Sequence, residues 1–222
     1  LVKGEAATVN VALGLLDSRL GAAVRQAADE AYEGRFDEEF PLDVFQTGSG
    51  TSWNMNANEV LAGRANEILT GTRGGKAPVH PNDHVNLGQS SNDVVPSVLN
   101  LSARLEAGRF VQALDELSAS FGSKAAEFSQ VVKIGRTHLQ DAVPMTLGQE
   151  FGAFARQIHL GAARVRASFG RLEELALGGT ALGTGVNTHP EFSSRTVAAL
   201  RTRLGIPFRP AENFFEAIAA RD

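Results

Sequence analysis

The chain has 222 residues, enough for one large domain or two smaller ones, and its 43% hydrophobic content supports a sizeable core. Its 21 basic and 25 acidic residues are dispersed and leave a formal charge of −4, so no basic block points to nucleic acid and no acidic tract to disorder. The absence of cysteine excludes disulfides, thiol catalysis and thiolate metal sites and is compatible with a reducing compartment.

Leu1 to Ala6 read neither as a signal peptide nor as a natural start. Val9 to Ala31 carries a helical pattern broken near Asp17 and Ser18, and Glu59 to Leu69 carries another. Between and after these lie loops rich in Gly, Asn, Ser and Thr. From Asn92 onward the apolar residues Val94, Val98, Leu101 and Leu105, then Phe110, Leu114, Leu117 and Phe121, step by four, three and four along one helical stripe. A second stripe runs through Leu147, Phe151, Phe154, Ile158, Val165, Phe169 and Leu172. Each pattern predicts a helix of roughly 25–30 residues, about 40 Å long, without proline beyond its first turn. Helices of that length point to a bundle or a coiled-coil-like assembly. Ser91, Asn92 and Asp93 offer a cap for the first, Thr146 and Gln149 a capping box for the second, and the glycine-rich run from Gly178 to Gly185 an end for it. Phe214 to Ala220 reads as a helix beginning where the chain stops at Asp222, so the sequence predicts an internal segment of a longer polypeptide. No alternating strand pattern and no repeat is found. No apolar run approaches the ~20 residues that span a bilayer. The expected fold is mostly α: a loop-rich helical N-terminal part, residues 1–88, followed by the long helices of a bundle, residues 89–222.

Four polar loops sit where apolar helices start or stop. In Thr47 to Ser52, glycines allow close backbone approach, and hydroxyls beside a helix N-terminus suit an anion; a flexible, well-capped loop is the plainer reading. No Gly-Lys-Ser/Thr follows, which excludes a nucleotide P-loop. Gln89 to Asp93 sets two hydroxyls and an amide at a helix start, a good carboxylate cradle, although a simple cap needs only one of them. In Gly135 to Asp141, His138 lies near Arg136 and Asp141, and its ordinary pKa suits proton transfer; a structural histidine is the plainer reading. His80 and His84 have the four-residue spacing of helical metal ligands, but Pro81, Asn82 and Asp83 argue for a turn.

Together these loops resemble the class II fumarase branch of the fumarase/aspartase superfamily. The matching stretches are Gln46 to Leu61 (QTGSGTSWNMNANEVL), Val79 to Pro96 (VHPNDHVNLGQSSNDVVP), Lys133 to Glu150 (KIGRTHLQDAVPMTLGQE) and Gly178 to Phe192 (GGTALGTGVNTHPEF), in the family's order and covering essentially the whole chain. The resemblance implies a fumarase/aspartase-type helical bundle and a lyase of the tricarboxylic acid cycle, fumarate hydratase. Its substrate-binding residues would be Ser49, Gly50, Thr51, Ser90, Ser91, Asn92 and Thr137, with His138 as the active-site histidine. His80, Pro81, Asn82 and Asp83 match a secondary dicarboxylate site. The implied chemistry removes a proton next to one carboxylate, giving an aci-carboxylate, after which the opposite carbon loses water. The family's serine-rich loop with the catalytic base would lie beyond residue 222, so the segment alone is expected to be inactive. Ala77 stands where the family has a basic residue before the His-Pro-Asn-Asp motif, and Trp53 where it has a small one. Aspartate ammonia-lyase on the same scaffold is the alternative, favoured by Asp141 to Thr146, as is an inert helical module that binds dicarboxylate or only assembles. The resemblance also implies a homotetramer in the full-length form, no metal, flavin or nicotinamide cofactor, no nucleic-acid or membrane partner, and a cytoplasmic location.

Overall fold

The structure, a computed structural model, describes residues 1–220. It is mostly helical, with two two-stranded sheets. By packing the chain divides into two compact units, Leu1–Leu101 with the segment from Glu173 onward, and Ser102–Leu172. This division follows contacts, whereas the boundary at residue 88 follows a change in sequence pattern.

In the first unit, α1 (Val2–Ala12), α2 (Ser18–Tyr32) and α3 (Thr51–Thr70) pack in series. Asp17 breaks the first helical pattern as expected, its carboxylate accepting the Arg19 and Leu20 N–H groups as the cap of α2. The shared core joins Ala7, Ala23, Val24, Ala27, Ala28, Leu61, Ala62 and Ala65 to Val79 and Val85. The alanines let the helix axes approach closely, so the core is built from small side chains. An ionic cluster ties α1 and α2 to α7 (Phe192–Leu204): buried Glu5 accepts from Arg25 Nη1 (3.0 Å) and Arg203 Nη1 (3.1 Å), and Asp29 pairs with the same two arginines. Burial would raise the Asp29 pKa, but hydrogen bonds from both guanidinium groups outweigh it and hold the carboxyl below its ordinary value.

Several elements differ from their sequence-based limits. Helix α3 begins at Thr51, not near Glu59, because its first turns bury Asn54 and Asn58 rather than apolar residues. The stretch read as a turn at Pro81 is one π-type turn, Pro81–Val85, capped by His80. Helix α4 spans Ser91–Glu127, 37 residues, and contains Pro96 in its second turn. The glycine-rich run does not end α5 (Leu147–Ala167); the helix stops at Ser168, is followed by the single turn α6 (Phe169–Leu172), and the chain is extended at β3 (Glu174–Leu175) before Gly178 is reached. Helix α7 carries no sequence-based assignment; it buries Phe192, Val197 and Leu200. After it, β4 (Arg209–Pro210) pairs in parallel with β3, and α8 (Phe214–Ala219) follows, capped by Asn213.

The second unit contains the remainder of α4, a hairpin, α5 and α6. Phe121, Phe128, Phe151 and Phe154 form its aromatic centre, with ring centroids 5.4–6.0 Å apart, and the Thr146–Gln149 capping box forms as expected at the start of α5. The hairpin, β1 (Val132–Thr137) paired antiparallel with β2 (Gln140–Thr146), corrects the expectation of no strands. Most of its residues are exposed on both faces, so neither face needs to be apolar and no alternation marks it in the sequence.

Candidate functional site

The start of α3 is a donor site made by backbone geometry. Gly50 precedes it with φ 69° and ψ 12°, and no side chain caps its free N–H groups. A line of hydroxyls runs beside it, Thr47 Oγ1 to Ser49 Oγ at 3.1 Å and Ser49 Oγ to Thr51 Oγ1 at 3.1 Å. Gly50 is required twice over. Its φ is left-handed, and a Cβ there would lie 2.7 Å from Val95 Cγ1, which also shows that this loop packs on the first turns of α4.

The start of α4 is built around Asp93 and Ser90. Ser90, one residue earlier than the expected caps, accepts the Asn92 N–H at its hydroxyl, and the Ser90 N–H donates to Asp93 Oδ1 at 2.9 Å. The other Asp93 oxygen accepts from Gly178 N and Thr180 N, each at 2.9 Å. Asn92 Nδ2 donates to the Ala181 carbonyl at 2.8 Å. The glycine-rich run is thus pinned to the start of α4. Burial pushes the Asp93 carboxyl above its ordinary pKa, with the three backbone donors and Lys3 acting against it.

Between the two helix starts lies a buried polar chain that the sequence did not reveal. Asn54 Nδ2 donates to Ser91 Oγ at 2.8 Å and to Asn86 Oδ1 at 3.3 Å, and Asn86 Oδ1 also accepts from Lys3 Nζ at 2.7 Å. Burial lowers the Lys3 pKa to about 7, against the pull of Asp93. Asn54 and Asn58, four apart on a buried helix face, were the one available signal; nothing in the sequence marks Lys3.

The structure therefore packs the loop of Ser49, Gly50 and Thr51 on the first turns of α4 through Gly50 and Val95, and links Asn54 of α3 to Ser91, so the two helix starts adjoin. Thr137 and His138 belong to the other compact unit, at the exposed tip of the hairpin, where His138 and Leu139 form a two-residue turn with φ 50° and 61°. Arg136 and Asp141, next to this turn in the hairpin, pair with each other at 2.9 Å. His80 Nδ1 accepts the Asn82 and Asp83 N–H groups, and His84 Nδ1 accepts the His80 N–H at 2.8 Å. Both rings thus spend one nitrogen on backbone, and no group of three or more potential metal ligands occurs among the described residues. Nor is any described helix long and apolar enough to cross a membrane.

Comparison with known proteins identifies the family and the fold. The model of the lyase family matches residues 1–222. The chain is 56% identical to a class II fumarate hydratase of Nitrosomonas europaea, covering all of this chain and 48% of that protein, and 51% identical to a mitochondrial fumarate hydratase of Rhizopus oryzae, covering all of this chain and 45% of that one. The crystal structure of a class II fumarase from Schistosoma mansoni superposes with a TM-score of 0.91 at 43% identity, over 97% of this chain and 48% of that one. The chain spans about half the length of the curated relatives it matches. With its full length matched by the family model and its fold shared with a solved fumarase, the chain belongs to the lyase family.

Proposed function

We propose that this chain forms part of a fumarate hydratase, a hydro-lyase that interconverts fumarate and malate, and that it supplies much of the carboxylate-binding apparatus. The observation that carries this reading is the packing of the uncapped, hydroxyl-lined N-terminus of α3 on the first turns of α4, where Asn54 bonds to Ser91. Removal of a proton beside a carboxylate spreads negative charge onto its oxygens, forming an aci-carboxylate. Fixed neutral donors bind that charge more strongly than they bind the ground state, because they need no reorganisation as it develops. The adjacent carbon then releases hydroxide, which leaves as water once protonated. In this scheme Thr137 binds substrate and His138 assists proton movement on the leaving-group side, while the base belongs to none of these residues. His80 to Asp83 is assigned to a secondary dicarboxylate site.

The assembled enzyme is proposed to be a cytoplasmic homotetramer. Phe110, Leu117, Phe154 and Leu160 of the second unit are each 40–54% exposed, apolar surface that association with further copies would bury. The test replaces the matched stretch of the Nitrosomonas europaea relative with these 222 residues and follows fumarate by its ultraviolet absorbance, beside the chain alone. Hydration by the chimera and silence of the chain alone support the reading. A folded chimera that ignores fumarate but releases ammonia from aspartate overturns it.

A further inference from the structure

We propose that Lys3 is a positioning residue whose ammonium sets the hydrogen-bond direction of a buried relay, Lys3 to Asn86 to Asn54 to Ser91, and thereby leaves the Ser91 hydroxyl free to donate to a substrate carboxylate. The inference rests on Ser91 being a carboxylate ligand, as the proposed function has it.

The argument follows donors and acceptors along the chain. A lysine ammonium only donates, so Asn86 must turn its carbonyl oxygen to Lys3 Nζ, 2.7 Å away. The Asn86 amide then donates to the Gln89 carbonyl at 3.3 Å. With an acceptor in front of it, Asn54 must present its own amide, which reaches Asn86 Oδ1 at 3.3 Å and Ser91 Oγ at 2.8 Å. Ser91 Oγ is therefore an acceptor within the protein, and its proton has no acceptor among the described residues. A carboxylate, which only accepts, is the complementary ligand.

A second observation shows that this direction is imposed on Asn54. In the orientation adopted, Asn54 Oδ1 is buried without a partner, a costly arrangement. The flipped amide would let Oδ1 accept the Ser91 hydroxyl proton and satisfy it, but would set two carbonyl oxygens, those of Asn54 and Asn86, against each other. The fixed donor at Lys3 excludes that alternative. It does so only while charged, since a neutral amine also accepts.

Of the charged groups on the elements around α1, Arg25 and Asp29 of α2 and Arg203 of α7 are engaged with one another and with Glu5. In the turn at Pro81–Val85, His84 bonds backbone and Asp83 is exposed. From α4, Asp93 acts on Lys3 and favours its charged form, against burial.

The experiment uses the isotope-labelled chain, wild type and with Lys3→Arg or Lys3→Gln, and reads the Asn54 and Asn86 side-chain amide resonances from about pH 5.5 to about pH 9. Succinate, a non-reacting dicarboxylate, is titrated in the same samples. The wild-type amides should shift in one step with the Lys3 ammonium, and succinate affinity should fall about tenfold across that step as the Ser91 donor loses its fixed direction. Lys3→Arg, charged throughout, should hold the acid-side affinity without the step. Lys3→Gln should bind about tenfold more weakly at every pH. Wild-type amides that do not respond to Lys3 titration overturn the relay, as does a folded Lys3→Gln chain that binds like wild type. If Lys3→Gln fails to fold, the wild-type titration and Lys3→Arg still decide. If succinate does not bind wild type at all, the carboxylate reading of Ser91 falls, while the amide titration decides separately whether the relay exists.

Discussion

Replacing Gly50 by alanine tests the geometry of the donor cluster most directly, because two separable penalties meet at one atom. The backbone at Gly50 has φ 69° and ψ 12°, where an L-residue costs about 1–2 kcal/mol, offset by about 0.4–1 kcal/mol because alanine stiffens the unfolded chain. The new Cβ would stand 2.7 and 2.9 Å from the two Val95 methyl carbons, an overlap that typically costs about 1–3 kcal/mol to relieve. Gly50→Ala should therefore destabilise the chain by about 2–4 kcal/mol, read from urea unfolding with an unchanged m-value. The steric part disappears if Val95 is first reduced to alanine, since the remaining Cβ is 3.4 Å away. In a Val95→Ala background the glycine substitution should cost only about 1 kcal/mol, a coupling of about 1–3 kcal/mol in the double-mutant cycle. An equal cost in both backgrounds would refute the close packing of this loop on α4. A cost near zero in both would refute the left-handed backbone as well.

Two further substitutions probe the neighbouring elements. Asp93→Asn cannot accept at both ends of its side chain, so one or more of the Ser90, Gly178 and Thr180 N–H groups faces an amide instead of an oxygen; the expected loss is about 2–4 kcal/mol, with faster hydrogen exchange at Gly178 and Thr180, and undiminished protection there would show that Asp93 does not pin the glycine-rich run. Leu139→Gly should stabilise the chain by roughly 0.5–1 kcal/mol, because a 94% exposed leucine at φ 61° gives up little packing and relieves left-handed strain; a lower thermal midpoint would mean that Leu139 holds a contact the turn needs.

Much of the fold was legible because long amphipathic stripes and strong caps are local signals. The stripe from Val94 to Phe121 and the Thr146–Gln149 box located α4 and the start of α5, and Asp17 marked the break between α1 and α2. Helix α3 was only half legible. Its first turns bury Asn54 and Asn58, and a polar buried face carries no apolar period. The hairpin at residues 132–146 was invisible for the opposite reason, since a ribbon exposed on both sides is free of any patterning constraint.

For the candidate site, sequence alone determined the residue types and their order. Small polar residues at helix starts and glycines where the backbone must turn are written locally, and the motifs through Ser49–Thr51 and Ser90–Asn92 carried the resemblance to fumarases. Only the tertiary structure decided which of these groups meet. Lys3, Asn54, Asn86 and Ser91 lie far apart in the sequence, and the packing of α1 and α3 on the turn at Pro81–Val85, which leads into α4, brings them into one hydrogen-bonded chain. The role of each depends on the donor or acceptor facing it. That direction is a property of the packed pair and not of either residue, so no reading of the sequence one segment at a time could have supplied it.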